Sequence, residues 1–192
     1  MEEFSLYVLD ITMNSVRAGA DKIDVTLEEK KSDGGERMLY FTVSDNGCGM
    51  SGEMVKRLAD PFFTTRKTRS VGLGVPFLKM LAEQTGGGLE IVSRSKEEHP
   101  DDHGTTLKAS FGIEHIDFIP LGDLEGTFIT LIQGSPDIDF TFTYITPTGK
   151  VHLACSEIRE ILGGDISLAE FEVLEWIRGY LRESYEALKQ NK

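Results

Sequence analysis

Leu6, Leu9, Met13, Val16 and Ala20 recur at spacings of three and four, which predicts a helix with one apolar stripe that ends near Gly19. Tyr7, Asp10, Asn14 and Arg17 repeat at the same spacing one residue further round, so Asp10 and Asn14 project from one face, a turn apart, at the border of the core. From Ile23 the period changes to two. Ile23-Asp24-Val25-Thr26-Leu27 alternates as a strand, the charged segment Lys30 to Arg37 with Gly34-Gly35 turns, and Leu39 to Val43 forms a more buried strand, together a hairpin. A short helix is expected near Gly52 to Leu58. A longer one follows from about Val75 to Thr85, because Pro76 suits a first helical turn and Gly86-Gly87-Gly88 stops it. Leu89 to Ser93 and Thr105 to Phe111 then read as strands joined by the polar loop KEEHPDDHG.

Beyond Glu114 the pattern predicts strands at Thr127 to Ile132 and Phe140 to Ile145, a turn at Thr146-Pro147-Thr148-Gly149, and a strand at Val151 to Ala154. Two helices close the chain, Ser156 to Leu162 and a longer one from near Ser167, whose spacing to Glu170 fits a capping box, to about Leu188. Leu168, Phe171, Leu174, Ile177, Leu181 and Leu188 form the apolar side of that last helix, a core-packing pattern. The stretch 114–126 is the boundary candidate, dividing the chain into 1–113 and 114–192.

Composition narrows the classes. Hydrophobic residues make up 40% and charged residues 27%, a globular balance, and no apolar run approaches the roughly 18 residues a membrane span needs. The net charge of −12 argues against nucleic acid and anionic membrane as general partners, since both require a basic footprint. The acidity is uneven: residues 1–113 carry 14 basic and 18 acidic side chains, residues 114–192 carry 6 and 14. Acids in MEEFSLYVLD stand where a secretory signal has basic residues, and two lone cysteines make no disulfide framework, so the expected compartment is the cytoplasm.

Candidate chemistry gathers in the first part. Glycines turn with positive φ and approach ligands closely, so Gly72-Leu73-Gly74 opening a helix offers free N–H groups and a positive dipole end to phosphate. Just before it Thr64, Thr65, Arg66, Lys67 and Arg69 concentrate cations and hydroxyls in an acidic chain. Gly149-Lys150 lacks the glycine spacing of a Walker loop. His99 and His103 flank Asp101 and Asp102 in what reads as a polar hairpin loop rather than a metal site. Cys48 occupies a place where a small residue suffices.

Four motifs in order carry a resemblance: DITMNSVRAGADKIDVTL, DNGCGM, PFFTTR with VGLGV, and HGTTLKASF. Over about residues 4 to 113 the chain resembles the ATP-binding domain shared by histidine kinases, MutL-type repair proteins, the Hsp90 chaperone and DNA gyrase. The resemblance implies an α+β fold, a two-layer sandwich with a mixed sheet and helices on one face, with 114–192 as an α+β extension. It implies that Asp45 takes the exocyclic amino group of adenine, that Thr105 reaches the base through water, and that Gly47 and Gly49 let the chain pass beside it. Asn14 would offer an oxygen to Mg²⁺ bound to ATP. Gly72, Leu73 and Gly74 would hold the phosphates under a lid from Pro61 to Val71 that contains Thr65, Arg66 and Lys67.

The chain departs from the pattern in two places. Asp10 stands where hydrolysing members carry a Glu that positions water, one methylene longer, and Arg17 replaces the acid of the MutL-like DAGA pattern. None of the four histidines, at 99, 103, 115 and 152, sits in a helix resembling a phosphoacceptor motif. Two readings therefore share the site: a stand-alone kinase-like module that transfers phosphate from Mg·ATP to a separate protein, or an ATP-dependent switch that regulates a partner by binding it. A protein partner is expected in both, and a homodimer is compatible with either.

Overall fold

The computed structural model describes residues 3–58, 74–163 and 166–190. Six helices and six strands follow in the order α1 (Phe4–Arg17), β1 (Lys22–Lys31), β2 (Arg37–Asp45), α2 (Gly52–Leu58), α3 (Gly74–Gln84), β3 (Gly88–Arg94), β4 (Gly104–Gly112), α4 (Leu124–Gly134), β5 (Asp139–Thr146), β6 (Gly149–Ala154), α5 (Cys155–Leu162) and α6 (Phe171–Gln190). They form a mixed α+β fold around one six-stranded sheet of order β3-β4-β2-β1-β5-β6. All pairings are antiparallel except β1 with β5, which run parallel through an intervening crossover that contains α4. Strands from residues beyond 114 thus extend the sheet laid down by residues 22–112.

Period-two burial explains the layering. Ile23, Val25 and Leu27 on β1 are buried, as are Phe140, Phe142 and Tyr144 on β5, while Asp24, Thr26, Thr141 and Thr143 between them are only half-buried. The helices cover the apolar side. Phe4, in the first turn of α1, is fully buried and meets the rings of Phe41 and Phe111 edge-on at 5.5 and 5.1 Å, which pins the start of α1 to the sheet. Main-chain bonds from Phe4 N to Pro120 O (2.8 Å) and from Ser5 N to Leu121 O (2.9 Å) tie that end to the segment preceding α4.

Four expectations change. The segment Thr127 to Ile132 is helical, not a strand. Asp123 caps α4 by accepting from Gly126 N at 2.7 Å, Thr127 and Thr130 bond back to the carbonyls of Asp123 and Gly126, and Leu124, Phe128, Leu131 and Ile132 fall on one buried helical face. The capping box at Ser167 is not formed. Leu168 is drawn into the core, 1% exposed, Ser167 Oγ accepts from Ala169 N instead, and the helix begins at Phe171, whose side chain is exposed rather than packed. On α1 the deepest face is Phe4, Val8 and Ile11, with Leu6 exposed and Leu9, Met13 and Val16 at its margin. Tyr7, placed by spacing on the polar stripe, is 5% exposed because it packs beside Phe4.

Candidate functional site

β2 delivers Asp45 to the end of the sheet, beside Ile23 on β1 and Thr105 on β4. Both carboxylate oxygens are held: Oδ2 accepts from Ser15 Oγ on α1 at 2.6 Å and Oδ1 accepts from Gly47 N at 2.9 Å. Each oxygen keeps a further lone pair, so the carboxylate is oriented without being saturated. Asn46 does different work. Its Oδ1 accepts from the main-chain N–H groups of Asp21 and Lys22 at 3.1 and 3.0 Å and its amide donates to Asp21, which fixes the entry into β1.

The turn after Asp45 is clamped from both sides. Cys48 N donates to Ala18 O at the end of α1, and Lys96 N donates to Cys48 O, each at 2.9 Å. Gly49 has φ +63° and a Cβ there would lie 1.8 Å from Arg94 O, so backbone conformation and space both require glycine. Gly47 would place a Cβ 2.9 Å from Ala18 Cβ. Asp45, Cys48 and Gly49 line a cavity of about 260 Å³ together with Asn14, Arg17 and Thr105. Its floor is apolar, with Ile11, Val43, Val75, Ile91 and Leu107. A largely apolar cavity with one fixed acid in its wall suits a base that carries an amino group.

Asn14 and Arg17 of the polar stripe of α1 face the same space. Asn14 lines the cavity, and its Oδ1 accepts from Arg17 Nη1 at 3.1 Å. Asp10 lies against the first residue of α3: a Cβ on Gly74 would fall 2.0 Å from Asp10 Oδ2, so the absence of a side chain at Gly74 is what lets that carboxylate sit there. Asn14, Asp45, Gly49 and Thr105 therefore converge on one cavity, with Gly47 in the turn beside it and Asp10 with Gly74 at its α1–α3 side. Thr65, Arg66, Lys67, Gly72 and Leu73, and the segment read as a lid, lie outside the described residues.

Three residues matter here that spacing alone does not single out. Ser15 orients Asp45; its signal was only that it follows Asn14 on a helix. Ser93, an inward position of β3, accepts from Met50 N at 2.8 Å, shares a 2.8 Å bond with Thr105 Oγ1 and donates to Gly104 O at 3.0 Å, joining the glycine turn to the strand bearing Thr105. His103, in the loop that invited a metal reading, instead bonds Gly47 O through Nδ1 at 2.6 Å. A carbonyl can only accept, so Nδ1 carries the proton. Replacing His103 with alanine removes that tether while leaving β3 and β4 paired. Affinity for the ATP that the resemblance implies, measured by calorimetry, is expected to fall about three- to tenfold, the worth of one ordered hydrogen bond, with the thermal midpoint nearly unchanged. An unaltered affinity would deny His103 any part in holding the turn.

Among known proteins, several bacterial sensor kinases match this segment. Sensor histidine kinase ZraS of Salmonella typhi is 31% identical over 86 residues, 45% of this chain and 18% of that protein. A putative sensor protein of Shewanella frigidimarina is 37% identical over 57 residues, 29% of this chain and 9% of its own length. The probable C4-dicarboxylate sensor kinase of Bacillus subtilis is 27% identical over 84 residues, 44% and 15%. The chain thus spans under a fifth of the length of each. Of solved structures, the N-terminal domain of a DNA repair protein superposes with a TM-score of 0.53 at 20% identity, covering 80% of this chain and 53% of that one. The Aquifex aeolicus MutL ATPase domain complexed with ADP superposes with a TM-score of 0.50 at 15% identity, covering 85% and 70%. These two likenesses are of fold. Residues 3–115 match the family described as histidine kinase-, DNA gyrase B- and HSP90-like ATPase, and the chain belongs to that family.

Proposed function

We propose that the protein binds Mg·ATP in the cavity between α1 and the ends of β2 and β4, and that it donates the γ-phosphoryl group to a separate protein. The observation that carries the reading is Asp45, an acid fixed by Ser15 and Gly47 in the wall of a largely apolar cavity in a chain of this ATPase family. Asp45 would accept from the adenine amino group, with Thr105, tied to Ser93, in reach of the same edge. Asn14 would hold Mg²⁺ through its amide oxygen, a hard neutral donor suited to that ion, after Arg17 releases it. Gly72, Leu73 and Gly74 would present main-chain N–H groups to the phosphates, with Thr65, Arg66 and Lys67 nearby in sequence. When bound, Mg²⁺ neutralises phosphate charge in the transfer.

The similarity to sensor histidine kinases supports transfer to a protein acceptor, as does the chain's own set of histidines, of which His103, His115 and His152 are engaged in local hydrogen bonds. Asp10 has a different proposed part: placed against Gly74, it is the one carboxylate on the α1 stripe positioned to orient a water if ATP is hydrolysed instead. Residues 114–192 are proposed to recruit the partner.

The deciding experiment incubates the purified chain with Mg·[γ-³²P]ATP, alone and with candidate partner proteins. Label appearing on a partner, dependent on Asn14, is the expected result. Tight nucleotide binding with no label on any partner would replace the kinase reading with that of a nucleotide-dependent switch. Absence of nucleotide binding would remove both.

A further inference from the structure

A second and larger cavity, of about 470 Å³, opens at the other end of the strands. β1 begins at the nucleotide end, where Ile23 pairs with Asp45, and six residues later its Glu29 enters this second space, roughly 20 Å away by strand rise. Its other walls come from the start of α4, the end of β5 and the last turns of α6. Leu121, Leu124 and Leu188 supply aliphatic surface, and the rings of Tyr144 and Tyr185, 5.8 Å apart, supply aromatic surface. The volume falls within the range of small-molecule sites.

We propose that this cavity binds a small organic cation with an aliphatic chain. Four carboxylates line it, those of Glu29, Asp123, Glu125 and Glu186, against one guanidinium, that of Arg182. Internal pairing reduces this imbalance without reversing it. Glu29, 8% exposed, accepts from the Tyr144 hydroxyl and pairs with Arg37 at 3.3 Å, while Glu125 is met by Arg182 at 3.3 Å and Arg178 at 3.9 Å. Asp123 accepts from the main-chain N–H of Gly126 at the cap of α4. Even with Arg37 and Arg178 counted, the acids outnumber the bases, and aromatic faces beside carboxylates attract ammonium or guanidinium groups while repelling phosphates and carboxylates.

A second observation is independent of charge. The Tyr185 hydroxyl is buried and has no hydrogen-bond partner among the described residues. Leaving such a group unpaired costs about 1–3 kcal/mol, and an N–H donor would satisfy it as an acceptor. Burial raises the pKa of both Tyr144 and Tyr185, so both phenols stay neutral and neither adds to the local charge.

The test compares three probes with one tail and different heads, n-hexylamine, hexanoate and 1-hexanol, by calorimetry on the full chain. Glu186, exposed at the rim, is replaced by lysine, a change that leaves the core intact. Hexylamine is expected to bind with a Kd of about 1 mM or tighter, hexanoate and hexanol at least tenfold more weakly, and Glu186→Lys to weaken hexylamine at least tenfold. Glu90→Lys, on the opposite edge of the sheet, alters net charge equally and is expected to leave the affinity unchanged. Hexanoate binding as well as hexylamine, an equal loss in the two lysine variants, or no hexylamine binding at about 10 mM would each overturn the proposal.

Discussion

Asn14→Ala is expected to abolish Mg²⁺-dependent nucleotide binding while leaving the fold in place. The side chain is half-buried and its hydrogen bond among the described residues is to the exposed Arg17, so the thermal midpoint should move little. The metal, by contrast, would lose its protein ligand. Calorimetry with ATP in Mg²⁺ and again in EDTA reads the difference directly: the gain conferred by Mg²⁺ on the unaltered protein should vanish in the variant, a loss of about hundredfold or close to 3 kcal/mol. Asn14→Asp serves as a control for geometry, because it keeps an oxygen at the same reach and adds charge, and Mg²⁺ dependence is expected to survive in it. If Asn14→Ala retains the full Mg²⁺ effect, the metal is held elsewhere and the place of Asn14 on the cavity wall is incidental. The Arg17 bond makes a finer point. Since Arg17 Nη1 occupies the oxygen that the metal requires, Mg²⁺ must displace a hydrogen bond worth about 1 kcal/mol, a cost that the doubly charged ion readily offsets.

The site could be read in the sequence to the extent that it depends on short-range rules. Asp10 and Asn14 share a helical face because helices repeat every 3.6 residues, and the structure sets Asn14 in the cavity wall and Asp10 against Gly74. Gly49 was recognisable as a turn glycine, and its φ of +63° is the physical reason. What spacing could not give was which residues hold the functional ones. Ser15, Ser93 and His103 act across 30, 12 and 56 residues of chain, and such partners exist only once α1, β2, β3 and β4 have packed together. The fold shows the same division. The β1–β2 hairpin and β3–β4 pair follow from alternation and turn residues, but Thr127 to Ile132, rich in β-branched and aromatic side chains, has strand propensity that its place in the helical layer overrides. The signal that could have found it was Leu124, Phe128, Leu131 and Ile132 at helical spacing behind a capping Asp. Ser167 failed as a cap for a related reason: burial of Leu168 decides where α6 begins, and a local capping preference of about 1 kcal/mol cannot compete with it.

Asp45→Asn separates base recognition from everything else the residue does. The substitution keeps the shape, and its amide oxygen can still accept from Gly47 N while its amide nitrogen donates to Ser15 Oγ, so the turn and its tether to α1 persist. Lost are the charge and the second acceptor. An adenine amino group would then face a neutral or donating group, and hydrogen bonds to ionised acceptors are worth about 1.5–3 kcal/mol, so ATP affinity should fall roughly ten- to hundredfold. Guanine presents a carbonyl where adenine presents an amine, and the asparagine nitrogen suits it better than the carboxylate does, so GTP should weaken far less or gain. The measurement is the ratio of ATP to GTP affinities in the two proteins, which cancels any general loosening of the turn. A fall of both nucleotides by the same factor would mean that Asp45 serves the turn and not the base. Ser15→Ala extends the argument: it frees one carboxylate oxygen without removing the charge, so it should lower ATP affinity only a few-fold, about 1 kcal/mol, through lost orientation. An effect of Ser15→Ala as large as that of Asp45→Asn would show that orientation of the carboxylate, rather than its charge, governs the choice of base.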